Sequence, residues 1–369
     1  MKVALIHEHL AQDGGAENVL RSFQKIYPEA PTYTLVYNKK EANPEFHGKD
    51  IRTSFIQRSP WGVRHYRWYL TLMPTAIESF DLSSYDVVLS SASAFAKGVI
   101  TQPHTMHVCY CHSPTRYLWT DSHSYVQGLN YSNFIKKFIP PFLSRLRVWD
   151  KLAADRPDYY LANSLTVKKR ITKYYRRHSD VIHPPVSVEQ FTISDKIGNY
   201  YLIGGRLVSY KRYDLAVQAF NKLGLPLKIY GTGPEYKKLK EMAKDNIEFL
   251  GQVTNEERKK LYAECIAFIH PQEEDFGITP LEAMASGRPT IAYAAGGALE
   301  TILPGITGEY FEDQDWESLA DKVIRLKPEN YDPLKIRAHA EEFSEEKFKT
   351  RIKQYIEDKW REFNNKNYP

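Results

Sequence analysis

Along most of the chain, short apolar runs end in glycine or proline and give way to amphipathic helical stretches. That alternation leaves few folds open. A run too short for a helix, apolar throughout and followed by a helix, reads as a buried strand of a parallel sheet, because parallel neighbours need a helical crossover. A first series places strands at 3–6, 87–90, 107–110, 159–162 and 181–182. A second places them at 201–203, 227–230, 248–250, 267–269 and 290–293, with helices such as 214–223 and 256–264 between them. Pro184-Pro185 and an aperiodic stretch, 187–199, separate the two. The expected organisation is α/β: two Rossmann-like domains, 1–186 and 200–343, a linker at 187–199, and a terminal segment, 344–369. In that segment Phe348, Ile352, Tyr355, Ile356 and Trp360 recur at helical spacing, so the helix has a surface to cover. Doubly wound sheets bind ligands at the carboxyl ends of their strands, and two such units would bring two binding edges face to face.

A length of 369 residues, 42% of them apolar and 26% charged, supplies two ordinary soluble cores. No apolar stretch approaches the ~18 residues of a membrane span. The opening Met1 to Ile6 is too short for a signal peptide, so a cytoplasmic protein is expected. Three cysteines make no disulfide framework. The net charge of +5 says little, but its distribution says more. Arg58, Arg64 and Arg67 stand among Trp61, Tyr66 and Trp68. Lys136, Lys137, Arg145 and Arg147 alternate with Phe134, Phe138, Phe142 and Trp149. Lys168, Lys169, Arg170, Lys173, Arg176 and Arg177 form a third run. Each run is either a solvated helix face, or a surface for an anionic membrane or nucleic acid.

Three strand-end loops carry candidate chemistry. Asp13-Gly14-Gly15-Ala16-Glu17 leads into a helix, where glycines admit a ligand and free N–H groups face an anion, although a tight turn wants glycine anyway. Gly204-Gly205-Arg206 precedes Lys211-Arg212, and Arg206 and Lys211 can converge on one phosphate. The acidic loop Gln272-Glu273-Glu274-Asp275 runs into Phe276-Gly277-Ile278-Thr279-Pro280-Leu281-Glu282. There Thr279, Pro280 and Glu282 fit N-cap, first and third helical positions of a capping box, while Phe276 to Thr279 bare N–H groups that suit a phosphate. His112 ends the strand at 107–110 within Cys111-His112-Ser113-Pro114-Thr115-Arg116. A metal reading of His107, Cys109 and Cys111, with His112 adjoining, lacks zinc spacing, so no metal site is expected. Asp313-Gln314-Asp315 reads as the N-cap region of the helix at 316–325.

Glu274 and Glu282, seven residues apart within Glu-Asp-Phe-Gly-Ile-Thr-Pro-Leu-Glu-Ala-Met-Ala-Ser-Gly-Arg-Pro, closely resemble the EX7E segment of the retaining GT-B glycosyltransferases of family 4. Gly-Gly-Ala-Glu, Gly-Arg…Lys, Tyr230-Gly-Thr-Gly-Pro234 and Gly296-Gly297 follow in the family's order, so the resemblance covers nearly the whole chain. It is nearest to mannosyltransferase-like members, in which the stretch holding His112 has a counterpart. The resemblance implies that Glu274 holds hydroxyls of the donor sugar and Glu282 the ribose. Arg206 and Lys211 would neutralise the diphosphate, with backbone at Gly14, Gly15, Phe276, Gly277, Ile278 and Thr279. Gly231 and Val253 would flank the base. His112 would approach the sugar's reacting carbon, making His112, Arg206, Lys211 and Glu274 the catalytic candidates. The terminal helix would pack back on the first domain. Arg116, Arg64, Arg67, Trp68, Lys136 and Lys137 would serve the acceptor or a membrane.

The expected reaction is transfer of a hexose, with mannose from GDP-mannose favoured over a UDP-sugar, to a glycan or polyprenyl-linked saccharide. It would need no metal or cofactor and would run at an anionic inner-membrane face. Two alternatives stay open: a nucleotide-sugar epimerase or phosphorylase on the same fold, or a non-enzymatic basic nucleic-acid binder. Against the last, no nucleic-acid motif is present.

Overall fold

The computed structural model describes residues 1–120, 122 and 139–367. They divide into two compact units, Met1–Pro184 with Phe348–Pro369, and Pro185–Lys347.

The first unit is built on β1 (Val3–His7), β2 (Thr32–Thr34), β3 (Ile51–Thr53), β4 (Val87–Ala92), β5 (Met106–Cys111), β6 (Tyr159–Ala162) and β7 (Asp180–Val181). All pair in parallel, in the order β3-β2-β1-β4-β5-β6-β7. The chain reverses its direction of winding between β1 and β4, and a crevice opens at such a point. The central strands are buried from end to end. β2 and β3 are absent from the sequence reading because three residues apiece, with Thr and Arg among them, form no apolar run.

One face of this sheet is covered by the helix Gly15–Ile26 and by the terminal helix Glu345–Asn367. Phe348 stacks on Phe23 with centroids 6.0 Å apart and meets Tyr110 edge-on at 5.8 Å. Phe348, Ile352 and Ile356 are buried there, each worth about 1.5–3 kcal/mol of apolar burial. On the other face a buried carboxylate forms a hub. Asp150, in the helix Ile139–Ala153, accepts from Lys97 Nζ at 2.6 Å, Thr115 Oγ1 at 2.6 Å and Trp119 Nε1 at 2.8 Å. Lys97 also donates to the Ala94 carbonyl and lies over the rings of Trp149 and Tyr175. Lys97 and Asp150 are each 1% exposed.

The second unit repeats the architecture with β8 (Tyr201–Gly204), β9 (Leu227–Tyr230), β10 (Ile247–Gly251), β11 (Phe268–His270), β12 (Thr290–Tyr293) and β13 (Gly308–Phe311), ordered β10-β9-β8-β11-β12-β13 and again parallel. Its winding reverses between β8 and β11. β13 (Gly-Glu-Tyr-Phe) escaped the sequence reading for want of an apolar run. The helix Trp316–Arg325 starts as expected, with the Asp315 carboxylate accepting from Ser318 N–H at 2.8 Å.

The stretch 187–199, expected as a linker, is packed into this unit. Val188 and Phe191 are buried, and Arg337 Nη1 donates to the Phe191 carbonyl at 2.7 Å. Its apolar residues follow no helical or strand period, so no periodicity betrays their burial. Among the described residues no helix is long and apolar enough to cross a membrane.

Candidate functional site

In the second unit, the ends of five strands are tied together in two groups at the carboxyl edge of the sheet: β8 with β9 and β10, and β11 with β12. Gly205 N–H donates to the Tyr230 carbonyl, Leu207 N–H to Thr232, Gly231 N–H to Gly251, and Gly297 N–H to Glu274. The chains run so close that side chains are excluded. A Cβ at Gly231, whose φ is +112°, would lie 1.9 Å from the Gly205 carbonyl oxygen, and one at Gly297 2.3 Å from the Phe276 backbone. Val253 packs on the core just beyond β10.

At the reversal between β8 and β11, Lys211 Nζ stands 2.9 Å from Glu274 Oε1. Burial drives the Glu274 carboxyl upward, but the charge and hydrogen bond of Lys211 outweigh it and hold the group below its ordinary range. His270, at the end of β11, is pushed down to about 4 by burial and is neutral at physiological pH. Around this pair, His270 Nδ1, Gln272 Oε1 and Tyr213 OH are buried polar atoms with no partner among the described residues, and so is Thr279 Oγ1 in the helix turn that follows. Buried polar atoms are nearly always paired, so four orphans along one strand edge mark unspent hydrogen-bonding capacity. Arg206 is exposed and outside the Lys211–Glu274 pair. The two cations share a loop as expected, but only Lys211 is tied to the acidic loop.

The capping box expected at Thr279 and Glu282 is not formed. The helix begins earlier, at Ile278, with Gly277 as N-cap at φ +89° and no side-chain cap. That left-handed residue turns the chain before Thr279 is reached, so Thr279 lies inside the first turn. The N–H groups of that turn are left uncapped, an arrangement that suits an anion. Glu282 does not cap either. It accepts from Arg258 Nη1 at 3.1 Å and Tyr262 OH at 3.1 Å, and Tyr262 is bonded to Tyr230 OH at 2.6 Å. Burial pushes its carboxyl up, against the pull of Arg258 and Tyr262.

The first unit has its own cluster at the reversal between β1 and β4. His112 follows β5, is half-buried, and its Nε2 lies 2.8 Å from Ser91 Oγ. The same hydroxyl is 3.1 Å from His7 Nδ1, and His7 Nε2 is 3.6 Å from Glu17 Oε1. Glu17 also accepts from Gln12 Nε2 at 3.2 Å. The group is assembled by register: His7 and Ser91 are paired residues of β1 and β4, and Ser91 pairs with Tyr110, two before His112 and on its face. Asn163 Nδ2 pins the His112 carbonyl at 3.0 Å. Burial, with His7 nearby, pushes His112 down to about 3. Burial raises the Glu17 carboxyl, but His7 more than offsets it and leaves it at about 2. Ser91 and His7 do not stand out in the sequence, and Glu17 does so only as a member of the Asp13–Glu17 loop. The signal was there, as polar residues at the carboxyl ends of two buried strands.

Gly14 caps the helix Gly15–Ile26 without a side-chain bond. A Cβ there would stand 3.2 Å from Glu17 Oε2, so the negative charge at this helix start is the protein's own. The metal reading fails on geometry. Cys109 and Cys111 point into the apolar core opposite the face of Tyr110 and His112, burial pushes the Cys109 thiol up to about 12, and His107 is bonded to Ser90. Among the basic runs, Arg177 is spent on carbonyls of Asp155, Pro157 and Asp158, and Arg116 is half-buried. Arg64, Arg67 and Trp68 are exposed. Lys136 and Lys137 lie outside the described residues.

Residues 187–349 match the family described as Glycosyl transferases group 1. The O-antigen chain mannosyltransferase RfbU of Salmonella typhimurium is 30% identical over 189 residues, 48% of this chain and 54% of that protein. The GDP-mannose-dependent alpha-mannosyltransferase of Corynebacterium glutamicum is 37% identical over 126 residues, 33% and 30% of the two. The chain thus spans about half the length, or less, of such curated relatives. Among solved structures, Anabaena Alr3699/HepE in complex with UDP aligns with a TM-score of 0.72 at 17% identity, covering 97% of this chain and 100% of that one. Sucrose-phosphate synthase from Thermosynechococcus elongatus gives 0.73 at 16% identity over 97% and 99%. The chain has the two-Rossmann α/β fold of GT-B glycosyltransferases, and the match to Glycosyl transferases group 1 spans nearly all of its second unit.

Proposed function

We propose that this protein is a retaining, metal-independent glycosyltransferase that moves a hexose from a nucleotide-diphosphate sugar to a glycan or lipid-linked saccharide. The observation that carries the reading is the Lys211–Glu274 pair, set at the strand reversal beside the uncapped helix start at Gly277. As the bond from the sugar's anomeric carbon to the diphosphate breaks, negative charge grows on the leaving oxygens. Lys211, Arg206 and the N–H groups after Gly277 supply fixed positive potential for that charge. Glu274, held ionised, accepts from sugar hydroxyls and faces the positive charge that develops at the ring, as in glycoside hydrolysis. Glu282, shared with Arg258 and Tyr262, is assigned the ribose. Gly231 and Val253 are assigned the base, Gly14 and Gly15 a backing for the phosphates, and His112 the sugar. The acceptor then attacks on the same face as the leaving group, whose phosphate takes the acceptor's proton, and Glu274 acts through its charge and its hydrogen bonds.

GDP-mannose is the favoured donor, on the strength of relatives named as mannosyltransferases. A UDP-sugar is the second reading, because a structural neighbour is described in complex with UDP-glucose. A thermal-shift panel of GDP, UDP, GDP-mannose, UDP-glucose and UDP-N-acetylglucosamine decides between them, since a ligand of the folded state raises the melting point. One nucleotide class should stabilise the wild type, and the gain should vanish in Arg206→Ala and Lys211→Ala. Stabilisation by none would overturn the reading. Turnover of donor with no acceptor would favour the epimerase.

We also infer that the first unit rests on an anionic lipid surface. Trp61 and Trp68 are 69% and 63% exposed and meet edge-on at 6.1 Å, with Phe55 and Leu72 exposed nearby in the chain. From Ile51 to Ile77 there are four arginines and no acid. Aromatic rings with arginines and no acidic residue suit an anionic headgroup region. Co-sedimentation with anionic vesicles should be strong, weakened by salt and by Trp61→Ser with Trp68→Ser. Binding that ignores salt, or no binding, refutes it.

A further inference from the structure

The chain Glu17, His7, Ser91, His112 contains one hydroxyl between two imidazoles. A serine hydroxyl has one proton and accepts through its lone pairs. Ser91 can therefore donate to only one of the two rings, and the other ring must donate to Ser91. The carboxylate of Glu17, 3.6 Å from His7 Nε2, draws the His7 proton to that nitrogen. His7 Nδ1 is then a bare acceptor and takes the Ser91 proton. Ser91 oxygen must in turn be met by an N–H, which His112 supplies from Nε2. The second nitrogen of His112, Nδ1, is left with its lone pair.

We propose that Ser91, His7 and Glu17 are positioning residues that fix His112 as its Nε2–H tautomer, so that Nδ1 offers an acceptor to a hydroxyl of the sugar. The proposal rests on His112 meeting the sugar. His112 then works as a neutral acceptor, not as an acid, and its orientation is locked from both sides: Asn163 holds its carbonyl, and Ser91 holds its ring. The device selects for a hydroxyl at that position of the ring and against a group without a proton to give. Glu17, which in sequence sits in a phosphate-loop pattern, acts in this network through His7.

The test is nitrogen NMR of the intact chain labelled in histidine, with the His112 signals assigned from His112→Gln. The expected spectrum shows a pyrrole-like Nε2 and a pyridine-like Nδ1 for His112 at neutral pH. Ser91→Ala, which removes only an oxygen, should give a mixture of tautomers, with kcat/KM lower on the order of 10-fold. Ser91→Thr, which keeps the hydroxyl, should restore the wild-type pattern. An Nδ1–H tautomer in the wild type, or an unchanged pattern in Ser91→Ala with unaltered near-UV dichroism, overturns the proposal. The expected tautomer in a protein that transfers no sugar would remove the transferase reading and leave the network standing. The wrong tautomer in an active transferase would remove the network alone.

Discussion

The hub at Asp150 makes the first unit's stability depend steeply on one carboxylate. Asp150→Ala removes the partner of an ammonium that is 1% exposed. Lys97 keeps only the Ala94 carbonyl and two aromatic faces, and the donors of Thr115 and Trp119 lose their acceptor. Breaking a buried pair from one side costs about 3–5 kcal/mol, and each orphaned donor adds about 1 kcal/mol or more. Partial relaxation of Thr115, whose hydroxyl can rotate, trims the total, so about 5 kcal/mol is expected. A unit of this size loses about 2–4 °C of melting temperature per kcal/mol, which makes the drop about 10–20 °C. The double variant Lys97→Met with Asp150→Leu removes both charges and refills the space, and such replacements are often nearly neutral. It should be more stable than Asp150→Ala, and the cycle closed by the single variants Lys97→Met and Asp150→Leu should give a coupling energy of at least about 2 kcal/mol. Urea titration followed by near-UV dichroism measures all four variants against the wild type. A cost for Asp150→Ala below about 1 kcal/mol, or plain additivity, would refute the argument.

Three further outcomes are expected. Glu17 should stabilise the fold above its unfolded pKa near 4.5 and lose that contribution as pH falls toward about 2, because its folded value is depressed. The stability gap between wild type and Glu17→Gln, on the order of 3 kcal/mol at pH 7, should therefore close between those pH values; a constant gap refutes the assignment. Gly231→Ala places a Cβ 1.9 Å from a carbonyl oxygen at a positive φ and should cost about 3 kcal/mol or more while abolishing nucleotide-induced stabilisation. Arg258→Ala frees a buried Glu282, so the second unit should lose about 3–5 kcal/mol by thermal melting, less whatever is recovered when the carboxyl takes up a proton.

The sequence made the central strands visible because burial on both faces writes an unbroken apolar run. The short strands Thr32–Thr34, Ile51–Thr53 and Gly308–Phe311 carry no such mark and exist through pairing with neighbours. Arg206, Lys211, Glu274 and Glu282 each stood out by type and loop, but the bond between Lys211 and Glu274 spans 63 positions and nothing local announces it. The capping box misled because Gly277 and Thr279 compete to start the same helix, and only backbone geometry shows that glycine wins. Ser91 and His7 are 84 positions apart, and only strand register makes them neighbours.

The terminal helix has a consequence for how the chain is made. Phe348, Ile352 and Ile356 complete a core layer begun by Leu5, Val19 and Phe23. During synthesis the ribosome must deliver the whole second unit before that layer can close. The second unit, one continuous run of chain from Pro185 to Lys347, can fold as soon as it emerges, while the first waits with Phe23 and Tyr110 unsheltered. A nascent chain stalled before Phe348 should present one finished domain and one unfinished domain, the latter a ready client for a chaperone.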